Sequence, residues 1–242
     1  MVPLLFAHHR FDIVAPAALY WPARNALLVA DLHLEKASFF AGHGQMLPPY
    51  DSQATLQDLA DLIGVTGAQT VFCLGDNYHD DGGEERLEKA AAQQLAAMTA
   101  TLEWVWITGN HDRDVVGLWG GSVVEEWTGE GLALRHQASA NSQLPEISGH
   151  YHPKVRIAVR NRHVSRRCFV KGRHHLIMPA FGVLTGGMAA HDPVIEACVG
   201  GPAEAIIGLK DKPVRFPLPF ADRTIEIVDD RQFALPLATT GQ

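Results

Sequence analysis

The stretch ALLVADLHLEK, residues 26–36, begins as an uninterrupted apolar run and ends in charged and imidazole side chains. Residues 26–30 have the length and the continuous apolar character of a β-strand that is buried on both faces. Asp31 and His33 follow this strand directly. Strands of this kind are typical of parallel sheets, so the stretch favours an α/β fold with polar groups at the end of a strand.

The same succession of a buried strand and a polar cluster occurs twice more. Residues 70–74 form a second predicted strand, which leads into Asp76. EWVWI at 103–107 predicts a third strand, and Asn110 and His111 follow it. Ligands of open α/β sheets bind at the carboxyl ends of the strands, which is where these polar groups stand. We therefore expect the three clusters to lie together.

Helical patterns separate the strands of the first half, and strands dominate the second half. From about Ser52 leucines recur at helical spacing, and Glu84–Ala100 is rich in strong helix formers. Beyond about Leu132 the predicted strands are LALRH, the segment around Ile147, VRIAVR, RRCFV, LIMPA, AIIGL and TIEIV. We predict one domain over residues 1–209. The remainder, 210–242, is predicted as an extension that either adds an edge strand through TIEIV or packs loosely.

The composition is that of an ordered globular protein. Of its 242 residues, 47% are hydrophobic and 19% are charged, which allows a large core. No apolar run approaches the roughly 20 residues of a membrane span, and the first residues lack the basic start of a signal peptide. These features predict a cytoplasmic protein with no membrane partner. Three scattered cysteines without Cys-x-x-Cys spacing predict buried, reduced thiols.

Charge is distributed unevenly along the chain, whose net charge is −7. Residues 1–150 hold 7 bases and 19 acids, whereas residues 151–175 hold 8 bases and no acid. Much of this basic segment is predicted to form a hairpin, in which VRIAVR pairs with VSRRCFV. Its bases either form an ordinary solvated strand face or an anion-binding surface, and the sequence leaves both interpretations open.

The polar residues at the strand ends, together with later histidines, have the chemistry of metal ligands. The set comprises Asp31, His33, Asp76, Asn110, His111, His136, His150 and His152. Oxygen and imidazole ligands without thiolates suit Mn²⁺, Fe, Zn²⁺ or Mg²⁺, and the set is larger than one ion needs. We therefore predict two divalent metal ions.

Two pairs in this set are spaced two residues apart. Asp31 and His33 form one pair, and His150 and His152 form the other. On an extended backbone, residues at this spacing project to the same side, so each pair could face one metal centre. Gly149 precedes the second pair and would permit a close approach of the backbone.

Taken in order, these motifs carry a family resemblance. Asp-x-His, Gly-Asp, Gly-Asn-His-Asp, a lone histidine and Gly-His-x-His, over residues 31–152, resemble the motifs of the calcineurin-like metallophosphoesterases. ADLHLEK, GHYHP, the RRCF segment and MPAFGVLTGG are similar to those of bacterial ligase-associated DNA damage response phosphoesterases, a likeness that extends to about Ala189.

The resemblance implies a fold, a metal arrangement and a reaction. The fold would be a four-layer αββα sandwich, with two central mixed β-sheets flanked by helices. One metal ion would be held by Asp31, His33 and His152, the other by Asn110, His136 and His150, with Asp76 bridging them. Mn²⁺ is the expected ion. An activated water between the ions would attack phosphorus in line, and His111 would stabilise the developing charge or protonate the leaving oxygen.

This chain departs from the family pattern at one position. Many relatives have an aspartate three residues after the bridging aspartate, where it orients the catalytic histidine; His79 stands there in this chain. Asp80 or Asp112 could take over that role, although Asp112 could equally cap a helix. The bases considered for contact with phosphate or nucleic acid are Arg113, Lys154, Arg156, Arg160 and Arg166.

Four functions are compatible with these residues. The first is a phosphodiesterase or endonuclease that acts on DNA in repair, with an association with a DNA ligase and a helicase implied by the resemblance alone. The second is hydrolysis of a nucleotide, a cyclic nucleotide or another small phosphate ester. A protein phosphatase is disfavoured because the aspartate expected at position 79 is missing. A scaffold without activity is disfavoured because scaffolds tend to lose metal ligands. The sequence does not determine the oligomeric state.

Overall fold

A computed structural model describes residues 1–139, 142–159, 162–209 and 212–218. Its first sheet has seven strands in sequential order. Neighbouring strands from β1 to β4 are antiparallel, and those from β4 to β7 are parallel. The strands are β1 (Val2–Phe6), β2 (His9–Ala15), β3 (Ala18–Trp21), β4 (Ala26–Val29), β5 (Thr70–Leu74), β6 (Glu103–Ile107) and β7 (Ser122–Val124). The bounds of β5 and β6 are those predicted from their apolar runs.

The second sheet also has seven strands, and a two-stranded hairpin is inserted in its sequence. The sheet order is β16-β15-β13-β14-β10-β9-β8, in which β9, β10 and β14 are parallel neighbours. Its strands are β8 (Glu126–Gly129), β9 (Leu132–Arg135), β10 (Glu146–Ser148), β13 (Phe169–Lys171), β14 (His175–Ile177), β15 (Ala203–Gly208) and β16 (Pro213–Leu218). A hairpin is present as predicted, because β11 (Lys154–Val159) pairs with β12 (Arg162–Arg167) in antiparallel register. Its second strand ends at Arg167, however, and Phe169 and Val170, which were predicted to continue it, belong to β13 of the second sheet.

The described part of the chain contains five α-helices in addition to the sheets. They are α1 (Lys36–Gly42), α2 (Asp51–Thr66), α3 (Gly83–Arg86), α4 (Lys89–Thr99) and α5 (Pro193–Val199), and Pro22–Arg24 form a 3₁₀ turn. The sequence predicts helix throughout Glu84–Ala100, and this prediction is wrong at one point. The helix ends at Arg86, and a second helix begins at Lys89. Glu88 has an extended backbone, and its carboxylate accepts from the amides of Ala90 and Ala91, which caps a new helix.

Three hydrophobic clusters produce the predicted four-layer sandwich. The first lies between the two sheets, where Leu28 and Phe72 share a cluster with Leu134 and Phe169. The second packs the outer face of the first sheet against α2 and α4. The third covers the outer face of the second sheet with α5 and the β11–β12 hairpin. The mixed α/β fold expected from the resemblance is therefore confirmed, and it places the carboxyl ends of the central strands at one edge.

The second sheet continues beyond the predicted domain boundary at residue 209. Strand β16 pairs with β15 along its full length, and Val214, Phe216 and Leu218 are buried in the third cluster. The boundary thus falls between two paired strands. Buried and exposed residues alternate in PVRFPL, so one face of β16 packs against the core. TIEIV, the segment predicted as an edge strand, lies outside the described residues.

Two further expectations concern cysteines and membrane segments. Cys73, Cys168 and Cys198 are all buried free thiols, as predicted. Within the described ranges, no helix combines the length and the apolar character needed to cross a membrane.

Candidate metal centre

The loops after β4 and β5 lie side by side and bring two aspartates together. The Asp31 amide donates to the Gly75 carbonyl at 3.1 Å, and the His33 amide donates to the Asp76 carbonyl at 2.9 Å. Asp31 is fully buried and Asp76 is 3% exposed. Burying two carboxylates this close together is unfavourable unless positive charge compensates them, so the arrangement calls for a cationic partner.

The backbone at the candidate ligands corrects the expectation of extended pairs. Asp31 (φ 55°), His33 (φ 46°), His150 (φ 72°) and His152 (φ 48°) are all in the left-handed region, as is Asp76 (φ 46°). The members of each pair therefore lie in tight loops rather than on an extended strand. Each non-glycine residue in this region costs on the order of 1–3 kcal/mol, and such strain is concentrated at functional sites.

Gly149 permits the contact between the His150 loop and Asp31. The His150 amide lies 3.0 Å from both carboxylate oxygens of Asp31. A Cβ atom on Gly149 would lie 2.5 Å from Asp31 Oδ2 and 2.8 Å from Ala30 Cβ. The close approach predicted for this glycine is therefore present, and it is required by packing.

Replacing Gly149 by Ala is expected to lower the free energy of unfolding by about 1–3 kcal/mol, because the added methyl group overlaps the Asp31 carboxylate. Gly186→Ala is the matched control, since a Cβ there would meet no atom within 4 Å. Urea denaturation of both variants measures the difference. Equal midpoints for the two variants would contradict the packing argument.

Asp31, His33 and His152 form the first group of candidate metal ligands. One side-chain nitrogen or oxygen of each lies within 4.8 Å of the others. His33 Nε2 is 3.3 Å from His152 Nε2, and His152 Nε2 is 3.4 Å from Asp31 Oδ1. Three donor atoms therefore converge on a space the size of one ion.

Asp76, His136 and His150 form the second group, within the same 4.8 Å limit. His136 Nε2 lies 2.9 Å from His150 Nδ1, 3.4 Å from Asp76 Oδ1 and 2.9 Å from Asn110 Oδ1. His136 Nδ1 lies 3.3 Å from the Leu74 carbonyl oxygen. Because a carbonyl oxygen only accepts hydrogen bonds, Nδ1 must be the donor in this contact. In a neutral His136 ring, Nε2 consequently presents its lone pair to the group.

The two groups are adjacent, and aspartates lie between them. Asp76 belongs to the second group, yet its Oδ2 is 3.8 Å from His33 Nε2 of the first. Asp31 belongs to the first group, and its Oδ1 is 3.6 Å from His136 Nδ1 of the second. A two-ion centre with a shared carboxylate fits this arrangement.

The protonation states also suit metal binding, which requires neutral imidazoles. Burial, together with the neighbouring His152, lowers the pKa of His33 to about 2. Burial and the neighbouring His136 likewise lower the pKa of His150. Nδ1 of His33 is buried without a hydrogen-bond partner. The donor set of imidazoles, carboxylates and an amide fits Mn²⁺, Fe or Zn²⁺.

His111 lies beside the two groups but is in neither. Its ring is exposed and lies 5.4 Å from the His33 ring. Its amide donates to Asp76 Oδ1 at 3.0 Å, and its Nδ1–H donates to the His79 carbonyl at 3.0 Å. The His79 and His111 rings stack with an interplanar angle of 17°. The backbone of His79 thus orients His111.

Asp80 and Asp112, which were considered for orienting His111, have other partners in the structure. Asp80 is paired with Arg86 on α3. Asp112 is fully buried, and its carboxylate accepts from the amides of Gly109, Asn77 and Tyr78 and from the Asn77 side chain. Burial raises the pKa of Asp112 to about 6, although these donors oppose the rise. Its role is to tie the Asp76 loop to the Asn110 loop.

Replacing Asp112 by Ala is expected to lower the free energy of unfolding by about 3 kcal/mol, because buried amides would then have no acceptor. Asp114→Ala is the control; this neighbouring residue is exposed, and a change within about 0.5 kcal/mol is expected. Chemical denaturation gives both values. If Asp112→Ala were as stable as the control, the carboxylate would not be the link between the loops.

The predicted phosphate-binding bases are placed differently from one another. Arg113 lines a groove of about 330 Å³ that also includes Asn110 and His136. Arg156 and Arg166 are exposed on the β11–β12 hairpin, which begins just after His152. Lys154 is half-buried, with its ammonium 3.5 Å from the Thr185 carbonyl. Arg160 lies outside the described residues.

Arg167, a member of the RRCF segment, supports the centre through contacts that no sequence pattern indicated. The Arg167 guanidinium donates to the carbonyls of Phe181 and Gly182, at 3.1 and 2.6 Å, and to Thr185 Oγ1. The Phe181 amide in turn donates to the Ala30 carbonyl, and the Gly182 amide donates to that of Asp31. The MPAFGVLTGG stretch carries part of the family resemblance, but nothing in it indicates a particular arginine.

Comparison with known proteins identifies the family. The family model described as calcineurin-like phosphoesterase matches residues 25–165, which contain every candidate ligand. The chain belongs to the calcineurin-like phosphoesterases. This membership makes it a phosphoester hydrolase of a family that uses divalent metal ions.

Solved structures of this family provide one informative relative. The crystal structure of the Pseudomonas putida nuclease MPE is similar to this chain, with 30% identity, a TM-score of 0.66, and coverage of 85% of this chain and 95% of that one. The phosphoesterase YfcE from E. coli has 15% identity and a TM-score of 0.39, with 76% and 88% coverage. At that score the likeness to YfcE supports no conclusion. A comparison with curated protein sequences finds no match.

Proposed function

We propose that this calcineurin-like phosphoesterase is a two-metal phosphodiesterase that cleaves DNA. The observation that carries the proposal is the pair of adjacent ligand groups, with Asp76 within 3.8 Å of a donor in each. Two divalent ions held there would neutralise the charge of a phosphate group and lower the pKa of water, so that a nucleophile forms near neutral pH. Mn²⁺ is the proposed ion.

Particular side chains are proposed to bind the ions and to transfer a proton. Asp31, His33 and His152 would hold one ion, whereas Asn110, His136 and His150 would hold the other, and Asp76 would be their shared ligand. The His79 carbonyl fixes His111 at Nδ1, so Nε2 is the atom left to serve the reaction. In a protonated ring, Nε2 carries a proton that can pass to the leaving oxygen. The strained loops and the buried Asp112 hold these groups in place before substrate binds.

Two observations support a nucleic acid diester over a small phosphate monoester. The similar Pseudomonas putida protein is described as a nuclease. The β11–β12 hairpin starts two residues after His152 and presents Arg156, Arg162 and Arg166 to solvent, with no acid in residues 151–175. An exposed basic hairpin that begins two residues after a candidate metal ligand suits a polyanion longer than the scissile group itself.

The reaction class is tested by hydrolysis of matched chromogenic phosphate diester and monoester substrates by the Mn²⁺-loaded protein. Faster cleavage of the diester is expected, with loss of activity after chelation. Faster cleavage of the monoester would instead assign a small-molecule phosphatase. No cleavage of either substrate with any of the candidate metals would contradict the proposal.

The hairpin is tested by reversing two of its charges. Arg156→Glu combined with Arg166→Glu is expected to weaken DNA binding and to reduce the slope of log K against log salt by about 2, because each arginine neutralises about one phosphate. The control is Arg10→Glu combined with Lys89→Glu. It changes the net charge by the same amount, and both residues are exposed and lie outside the hairpin. Identical salt titrations for the two double variants would exclude the hairpin as the binding surface.

A further inference from the structure

Helix α1 carries two phenylalanines that the hydrophobic core does not use. Ala37 is the only residue buried on this helix, whereas Phe39 and Phe40 are half-buried. Among the described residues, neither phenylalanine belongs to, or packs against, any of the three hydrophobic clusters. Core packing therefore does not explain two adjacent aromatic residues at this position.

Both phenylalanines contact the histidine that orients His111. The ring centroids of Phe39 and Phe40 lie 4.9 and 5.5 Å from that of His79. His79 lies 5.3 Å from His111 and is nearly parallel to it. On the other side, the ring of His43 lies 4.5 Å from Phe39. A continuous row of rings thus runs outward from His111. We call its outer four members, Phe39, Phe40, His43 and His79, the aromatic wall.

The far end of the aromatic wall is open to solvent. His43 is exposed, and the loop that follows presents Met46, 87% exposed, and Tyr50, 69% exposed. Exposed apolar and aromatic side chains beside a catalytic site are typical of ligand-binding surfaces. The wall is also continuous with the metal centre through His111. A group bound at the centre could therefore extend along the wall.

We propose that the aromatic wall binds a nucleobase next to the scissile phosphate, so that the enzyme selects polynucleotides over other phosphodiesters. The inference rests on the proposed phosphodiesterase function and names its substrate class. Every base has an aromatic face that can stack on the side-chain rings of the wall. We therefore expect base stacking without a preference for particular sequences. Contacts with phosphate do not distinguish a nucleic acid from another polyanion. Stacking of a base on the aromatic wall would make this distinction.

The decisive comparison uses two oligomers of equal length and charge, a short oligothymidylate and its abasic counterpart. Fluorescence anisotropy with metal-free protein gives the ratio of their dissociation constants and separates base stacking from phosphate electrostatics. Wild-type protein is expected to bind the base-bearing oligomer about 5- to 150-fold more tightly, the range for stacking of one base. Phe39→Leu combined with Phe40→Leu is expected to reduce this ratio to about one.

The matched control, Phe39→Tyr combined with Phe40→Tyr, keeps both rings and should keep the ratio. Thermal unfolding of both double variants verifies that they are folded. Equal binding of the two oligomers by wild-type protein, or an unchanged ratio in the leucine variant, would overturn the inference. Hydrolysis of methyl p-nitrophenyl phosphate, a diester without a base, tests the phosphodiesterase function separately. If the protein hydrolyses that diester but binds the two oligomers equally, the role of the aromatic wall is refuted and the phosphodiesterase function is retained.

Discussion

Replacement of Asp76 by Asn is expected to abolish tight binding of metal and to reduce phosphodiester hydrolysis by about 10³-fold. Asp76 is the carboxylate that approaches donors of both groups, at 3.4 Å from His136 and 3.8 Å from His33. Asparagine keeps the volume but removes the negative charge that offsets two divalent ions. The reduction in rate corresponds to the several kcal/mol that metal ions contribute to the transition state.

Metal content by mass spectrometry and diester hydrolysis should fall together in this variant. Asp61→Asn provides the control, because Asp61 is an exposed residue of α2 that accepts from Gln57. Circular dichroism distinguishes loss of metal from loss of fold. A folded Asp76→Asn protein with two tightly bound ions would contradict the assignment of Asp76 as the shared ligand.

Replacement of His111 by Ala is expected to leave both ions bound and to reduce kcat by about 10²- to 10⁴-fold, the usual contribution of a general acid. The reason is geometric. His111 lies beside the ligand groups, it is exposed, and its Nδ1 is occupied by the His79 carbonyl. In His111→Ala, turnover should therefore fall while metal binding is kept, whereas Asp76→Asn should lose both.

His174→Ala is the control for this variant, since His174 is an exposed histidine in the loop between β13 and β14, away from the ligand groups. Steady-state kinetics and metal analysis of the two variants give the comparison. Loss of one ion from His111→Ala would show that this residue is a ligand rather than an acid. Unchanged turnover would remove it from the mechanism.

Local patterns predicted the parts of the structure that depend on short stretches of sequence. β5 and β6 were located to the residue because their side chains are buried on both faces, which requires uninterrupted apolar runs. The convergence of Asp31, Asp76 and Asn110 followed from one rule, since parallel strands end at one edge of their sheet. The β11–β12 hairpin followed from its alternation and turn.

Contacts between distant segments were not predictable in this way. The left-handed backbone of His33 and His150 occurs in loops whose amides donate to Asp76 and Asp31, which are distant in sequence, and neither residue type predicts it. Asp112 resembles a helix cap in sequence, but its Oδ2 accepts from the amides of Asn77 and Tyr78, which are more than 30 residues away. The use of the His79 carbonyl in place of a carboxylate left no sequence signal either, because every residue has a carbonyl.

The two-ion centre is the central claim, and anomalous diffraction from crystals grown with Mn²⁺ tests it most directly. Two anomalous peaks are expected, one within the group of Asp31, His33 and His152 and the other within that of Asp76, His136 and His150, with Asp76 reaching both. Asn110 should contact the second peak. A single peak, or peaks bound by other residues, would contradict the account.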